Sequence, residues 1–288
     1  MFAAVLISPG ILPAPVVEDL RARWQGGEPR WLAPGEAAEI PLGALPDDAD
    51  RVWRELQTRR IDLAFVPAGS RSKRLLIADM DSTMIEQECI DELADEAGVG
   101  AHVAAITARA MNGEIGFEGA LRERVALLQG LPEETIARVL ETRITFMPGG
   151  RELVATMKAH GAHAALVSGG FTAFAAPVAR SLGFDESRAN LLLARDGVLT
   201  GKVAEPILGQ DAKRAALHEI SARLGITPGD VLAVGDGMND LPMLQAAGMG
   251  VALHGKPALQ EQVGLRINHA DLTALLFLQG HARSDFVS

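Results

Sequence analysis

Leu75-Leu76-Ile77-Ala78-Asp79-Met80-Asp81-Ser82-Thr83 ends an apolar run on two carboxylates, and the reading of this stretch decides the fold. Four apolar residues predict a buried strand, and acids at its end can stand free at a sheet edge. Asp79 and Asp81 are two apart. A continued extended backbone puts both on one face, close enough to hold one divalent cation or to divide nucleophilic and acid–base work. Taken alone, the pattern also fits a polar turn or a helix N-cap after a strand.

Downstream, the scheme repeats. Residues 164–167 run into Ser168-Gly169-Gly170, residues 231–234 into Gly235-Asp236-Gly237-Met238-Asn239-Asp240, and residues 250–253 into His254. Apolar strands that each end in polar or glycine-rich residues before a helix or turn predict an α/β fold with a doubly wound parallel sheet. Ligands bind beyond the carboxyl ends of such strands, which gathers Asp79, Asp81, Ser168 and Asp236 at one edge. Between Glu86 and Phe146 the period is helical, with Ile90, Leu93 and Ala97 on one face and Gly98 as a stop. Further amphipathic stretches at 101–111, 118–128 and 132–142 predict an inserted helical bundle at about 86–147, closed by Pro148-Gly149-Gly150. Upstream, residues 1–70 read as a small α+β layer with Trp24, Trp31 and Trp53 in its core, and Arg71-Ser72-Lys73-Arg74 as a solvated connection to a main body at 71–288.

At 288 residues the chain is long enough for a large core and more than one domain. A formal charge of −10 argues against a general nucleic-acid binder, since phosphate backbones need a basic surface. The single Cys89 excludes an internal disulfide and fits a reducing cytoplasm. No apolar run reaches the length of a membrane span, and the opening Met1-Phe2-Ala3-Ala4-Val5-Leu6-Ile7 lacks a basic leader and reads as a strand.

Ser168-Gly169-Gly170 precedes a stretch read as a helix over 171–182, stopped by Gly183. It offers backbone N–H groups to an anion, or forms a tight turn. Pro177 predicts a kink there or a later helix start. Asp236, Asn239 and Asp240 supply the oxygen ligands that Mg²⁺ prefers, although Asn239 or Asp240 can equally cap the following helix. Lys213 lies in a helical stretch from about Asp211. His254 and His269 read as structural, and Cys89, with no basic neighbour, as packing.

In order along the chain, these segments resemble the four motifs of the haloacid dehalogenase (HAD) superfamily of aspartate-dependent phosphohydrolases, over about residues 74–280. The stretches 86–92, 111–114, 117–125 and 168–171 are similar to its phosphoserine phosphatase family, whose cap would be the helical insert. Residues 1–70 resemble more loosely the ACT-like extension of bacterial members, for which a homodimer is plausible. The resemblance implies a Mg²⁺-dependent phosphatase that makes serine from phosphoserine, the last step of serine biosynthesis, with a small molecule as partner and neither nucleic acid nor membrane. It implies Asp79 as nucleophile and Asp81 as acid and base, with Mg²⁺ held by Asp79, the Asp81 backbone carbonyl and Asp236. Lys213, Ser168 and the Gly169 N–H would hold phosphoryl oxygens, and Asn239 and Asp240 would complete the network. Glu88 would take the substrate ammonium and Arg124 its carboxylate, with Met111 and Phe117 shielding the bound molecule; out of that context all four read as ordinary helix charges or core. A related phosphatase for another small ester, or an amino-acid-binding regulatory module on a weak phosphatase, shares much of this pattern.

Overall fold

Two kinds of sheet follow from two kinds of apolar run. The computed structural model describes residues 1–69, 71–111 and 114–287. The amino-terminal part runs β1 (Phe2–Ile7), α1 (Ala14–Trp24), β2 (Arg30–Ala33), β3 (Ala37–Leu42), α2 (Ala49–Gln57) and β4 (Asp62–Pro67). The strands pair antiparallel in the order β2-β3-β1-β4, a βαββαβ arrangement. Its core is Leu6, Leu12, Val17, Ile40, Val52 and Leu63, with the three tryptophans only partly buried at its margin. Trp53 carries the Arg266 guanidinium 3.8 Å above its ring, so it also serves as a platform for the second unit.

The second unit opens with β5 (Leu75–Ala78) and four helices: α3 (Cys89–Glu96), α4 (Gly100–Met111), α5 (Phe117–Ala126) and α6 (Glu134–Thr142). It continues with α7 (Gly150–Ala159), β6 (His163–Phe171), α8 (Thr172–Leu182), β7 (Glu186–Asn190), β8 (Leu192–Arg195), β9 (Val198–Val203) and α9 (Gln210–Leu224). The chain ends through β10 (Val231–Gly235), α10 (Leu241–Ala246), β11 (Met249–Leu253), α11 (Pro257–Gln260), β12 (Leu265–Ile267) and α12 (Ala274–Leu278). Among the described residues a six-stranded parallel sheet has the order β12-β11-β10-β5-β6-β7, with β5 and β10 at its middle. All four residues of β5 are buried, as a strand covered on both faces requires. The helical insert is tied at its base, where Ile85 bridges Phe146, the Glu86 N–H donates to the Thr145 carbonyl at 3.0 Å and the Met147 N–H to the Met84 carbonyl at 3.0 Å.

Three sequence readings need correction. The basic run after residue 70 is not simply solvated: the Arg71 side chain is 10% exposed and its Nη2 lies 2.6 Å from Glu39 Oε2. Lys73 Nζ donates to the Gly229 carbonyl at 2.8 Å, so this segment brackets one unit against the other. Helix α8 starts at Thr172, because Phe171 still belongs to β6, and it takes Pro177 into its interior, which leaves the Ala173 carbonyl without its i+4 donor. The antiparallel pair β8–β9 was not expected. Its turn is Asp196-Gly197, both at positive φ (53° and 79°), the conformation an Asp-Gly hairpin favours. Among the described residues no helix is long and apolar enough to cross a membrane.

Candidate active site

The site is delivered by the carboxyl ends of β5, β6 and β10 and the first turn of α9. The Asp79 N–H donates to the Val234 carbonyl at 3.0 Å, carrying the β5–β10 alignment on to the first acid. Asp79 Oδ1 accepts the Met80 N–H at 2.7 Å, which limits rotation of the carboxylate. Asp79, Asp236 and Asp240 are all buried, and a carboxylate oxygen from each lies within 4.8 Å of the others.

Lys213 stands among them, 1% exposed, with Nζ 2.7 Å from Asp79 Oδ2 and 2.6 Å from Asp240 Oδ1. Burial opposes its charge, but Asp240 and Asp79 more than offset this and raise its pKa. The other Asp240 oxygen accepts the N–H groups of Asp236 and Gly237 at 3.2 and 3.1 Å, so this carboxylate is committed to the lysine and to its own loop. Gly235 makes this possible: a Cβ there would run into the Asp240 carboxylate. Asp240 is pushed up by burial and by Asp79, and Lys213 pulls it back. Asp236 is pushed up too, by burial first, with Asp79 adding to it and Lys256 opposing.

Asp81 lies apart from that cluster, across Gly170, where a Cβ would come within 2.7 Å of Asp81 Oδ2. Its Oδ1 receives the Cys89 N–H at 3.4 Å. Burial, then Glu88 and Asp79, push its pKa up to about 8. The buried Cys89 thiol is pushed well above its ordinary value, by burial and by Asp81, and stays neutral.

Ser168 is buried, and its Oγ accepts the Gly170 N–H at 2.8 Å, which leaves the hydroxyl proton to donate elsewhere. Gly170 therefore offers no free N–H to an anion. Phe117, at the start of α5, lies over this end of β6, so that a Cβ at Gly169 would meet its ring at 3.1 Å and one at Gly209 at 3.4 Å. Glu88 precedes α3, accepts the Ser82 hydroxyl at 2.9 Å and is pushed up by burial. Arg124 is partly buried. Among the described residues its one hydrogen bond runs from Nε to the Ala120 carbonyl at 3.3 Å, and burial lowers its pKa against the opposing pull of Asp91, Glu88 and Asp81. Asn239 is partly buried on the loop between Asp236 and Asp240, with its Oδ1 where a Cβ at Gly237 would collide with it. The Met111 side chain lies outside the described residues, as do Asn112 and Gly113.

Sequence reasoning missed one group here. Lys256, just beyond β11, places Nζ 3.1 Å from Asp236 Oδ2 and 3.8 Å from Glu88 Oε1. The rule that gathers strand ends at one edge covers this position as well, and Gly255-Lys256-Pro257 follows the fourth such end. His254 is structural, as read: its Nε2 contacts the Ala270 carbonyl at 2.9 Å.

The donor set suits a hard divalent cation. Three convergent carboxylates exceed the one buried ammonium among them, and hard ions take oxygen ligands.

Residues 76–245 match the family model of the haloacid dehalogenase-like hydrolases. The chain is 47% identical over 210 residues to the phosphoserine phosphatase of Albidiferax ferrireducens, covering 71% of this chain and 89% of that one. The chain belongs to the haloacid dehalogenase-like hydrolases. To the phosphoserine phosphatase of Archaeoglobus fulgidus it is 43% identical over 227 residues, 78% of this chain, and it spans 66% of that protein's length. A HAD-family hydrolase from Salmonella enterica serovar Typhi superposes with a TM-score of 0.87 at 31% identity, over 96% of this chain and 98% of that one. The parallel sheet, the inserted helices and the added antiparallel sheet are thus a HAD hydrolase fold, and the enzymatic class follows from the family.

Proposed function

We propose that this HAD hydrolase cleaves O-phospho-L-serine to L-serine and inorganic phosphate, with Mg²⁺ as its metal, as the last step of serine biosynthesis in the cytoplasm. The observation that carries the reading is Lys213, dehydrated between Asp79 and Asp240 with Asp236 beside them: one carboxylate held in place for attack, and Asp236 left without a bond to that lysine and open to a cation. Its phosphoserine phosphatase relatives support the substrate.

In this reading an Asp79 oxygen attacks phosphorus, and the bond from phosphorus to the serine oxygen breaks as the new P–O bond forms. The proton held by Asp81 passes to the departing serine oxygen, which would otherwise leave as a poor alkoxide. Asp81, now ionised, takes a proton from water as that water attacks the phosphorus of the aspartyl-phosphate, releasing phosphate and restoring both acids. A carboxyl with a pKa near 8 suits both steps, since it can give and recover a proton near neutral pH. Lys213, the Ser168 hydroxyl and the Gly169 N–H would take the transferring oxygens, with Asn239 and Asp240 holding the surrounding network. Asp79, Asp236 and the Asp81 backbone carbonyl would hold Mg²⁺, whose charge offsets repulsion between carboxylate and phosphate.

Selectivity falls to the helical insert at about 86–147, read as the cap domain. Arg124, without an ion-pair partner among the described residues, suits the substrate carboxylate, and Glu88 its ammonium. Phe117, and Met111 by family resemblance, would cover the bound molecule. Residues 1–70 are read as an ACT-like domain through which a homodimer would form, and residues 71–288 as the phosphatase body.

Phosphate release from L-phosphoserine and from phosphoethanolamine, with and without Mg²⁺, tests the substrate. Arg124→Ala should lower kcat/KM on phosphoserine about 100-fold while changing it less than about threefold on the ester that lacks a carboxylate. An equal loss on both would remove Arg124 from recognition, and no Mg²⁺-dependent release from phosphoserine would end the proposal.

A further inference from the structure

The acids of this cleft already carry a second ammonium. Lys256 Nζ lies 3.1 Å from Asp236 Oδ2 and 3.8 Å from Glu88 Oε1, with its side chain 53% exposed. The backbone beneath it is fixed. The Lys256 N–H donates to the Asp236 carbonyl at 2.9 Å, and the His254 N–H to the Ile267 carbonyl at 2.7 Å. His254 takes a left-handed φ of 46° and ties its ring to the Ala270 carbonyl, so the turn delivers residue 256 to the cleft each time it folds. The side chain beyond that point is held by charge and little packing. The acid it leans on most closely is the one acid of the cluster with no other side-chain partner among the described residues, since Lys213 takes Asp79 and Asp240.

We propose that Lys256 is a tethered counter-ion that competes with the divalent cation for Asp236 and so sets the metal affinity of the site. The inference rests on the metal reading given above. The ammonium is near enough to neutralise Asp236 when no metal is present, and exposed enough to swing into solvent when one arrives. The exchange forms and breaks no covalent bond. Two like charges at one carboxylate repel, so the energy of separating the lysine from Asp236, and of any residual repulsion, is subtracted from metal binding. Glu88 offers the displaced ammonium a second anchorage.

The test is calorimetric titration of MgCl₂ into the metal-free, full-length protein without substrate. Lys256→Met and Lys256→Gln should each bind Mg²⁺ about tenfold more tightly than the wild type, equivalent to ~1.4 kcal/mol. Lys202→Met removes the same unit of charge from the exposed β9 surface and should leave the affinity as it was. Unchanged or weaker binding in both Lys256 variants, or an equal gain in Lys202→Met, would overturn the proposal while the metal reading stands. A wild type that takes up no Mg²⁺ at millimolar concentration, and behaves as Asp236→Asn does, would instead remove the metal reading and this inference with it.

Discussion

Lys213 and Lys256 approach one acidic cluster from different elements and do different work there. Lys213 enters from the first turn of α9, 1% exposed, with two carboxylates at 2.6 and 2.7 Å. Lys256 enters from the turn after β11, 53% exposed, with carboxylates at 3.1 and 3.8 Å. Charge and residue type are the same, while distance and hydration differ. Removed from water, an ion pair cannot exchange its partners without leaving a bare charge, and it becomes a permanent part of the site. In contact with water, the same pair is screened and can be replaced by another cation.

Removing the dehydrated lysine is the most severe way to break the comparison. Lys213→Met strands Asp79 and Asp240 without their cation and should destabilise the metal-free protein by ~3–5 kcal/mol in urea titration, with activity reduced at least about 100-fold. A loss under 1 kcal/mol would mean that the two acids had shed their charge and that the pair is not ionic. The next effect lies on the other lysine's side. Asp62, fully buried at the start of β4, accepts the N–H groups of Asn268, His269 and Ala270 at 2.8 to 3.1 Å. The Ala270 carbonyl holds His254, and His254 shapes the turn that carries Lys256. Asp62→Ala leaves three donors unsatisfied and should lower stability by ~2–4 kcal/mol in the same titration. Lys256→Met itself should shift stability by no more than about 0.5 kcal/mol, as befits an exposed pair.

The smallest effect is one of pH. Lys158 Nζ lies 2.7 Å from Asp185 Oδ1, and both side chains are partly exposed. Burial raises the Asp185 carboxyl, but Lys158 and the Ala164 N–H outweigh it and hold the pKa below its ordinary value. A depressed acid contributes stability above its unfolded pKa and loses it as pH falls through the folded one. Lys158→Met should therefore lower Tm slightly near neutrality and flatten its fall below about pH 4, where the variant and wild-type curves converge. A parallel curve at all pH values would exclude the pair as its source.

Much of the frame was legible because strand and site share one local signature, a fully apolar run that stops at acids or glycine. Residues 75–78 and 231–235 are strands with Asp79 and Asp236 directly after them, whereas β6 does not stop at Ser168 as expected but continues through the glycines to Phe171, with its pairing to β7 shifted between Val167 and Phe171. Helix stops were legible for the same local reason, as at Gly98 and Gly183, both in left-handed backbone. The β8–β9 turn carried a signal of its own in Asp196-Gly197, but nothing nearby in sequence says that β9 lies against α5. The burial of Arg71 was illegible, because its partner Glu39 lies 32 residues away and a basic run resembles a solvated one until that carboxylate is placed beside it.

Residue order alone determined that an aspartate would follow a buried strand, that further acids would follow another, and that a helical insert would separate the first strand from the rest. Those are matters of period and of which side chains tolerate water. Tertiary structure alone decided that Lys213 is dehydrated between two of the acids while Lys256 remains wet beside a third. The strength of a charge pair depends on distance and on the surrounding dielectric, and neither is a property of the chain until distant segments have packed together.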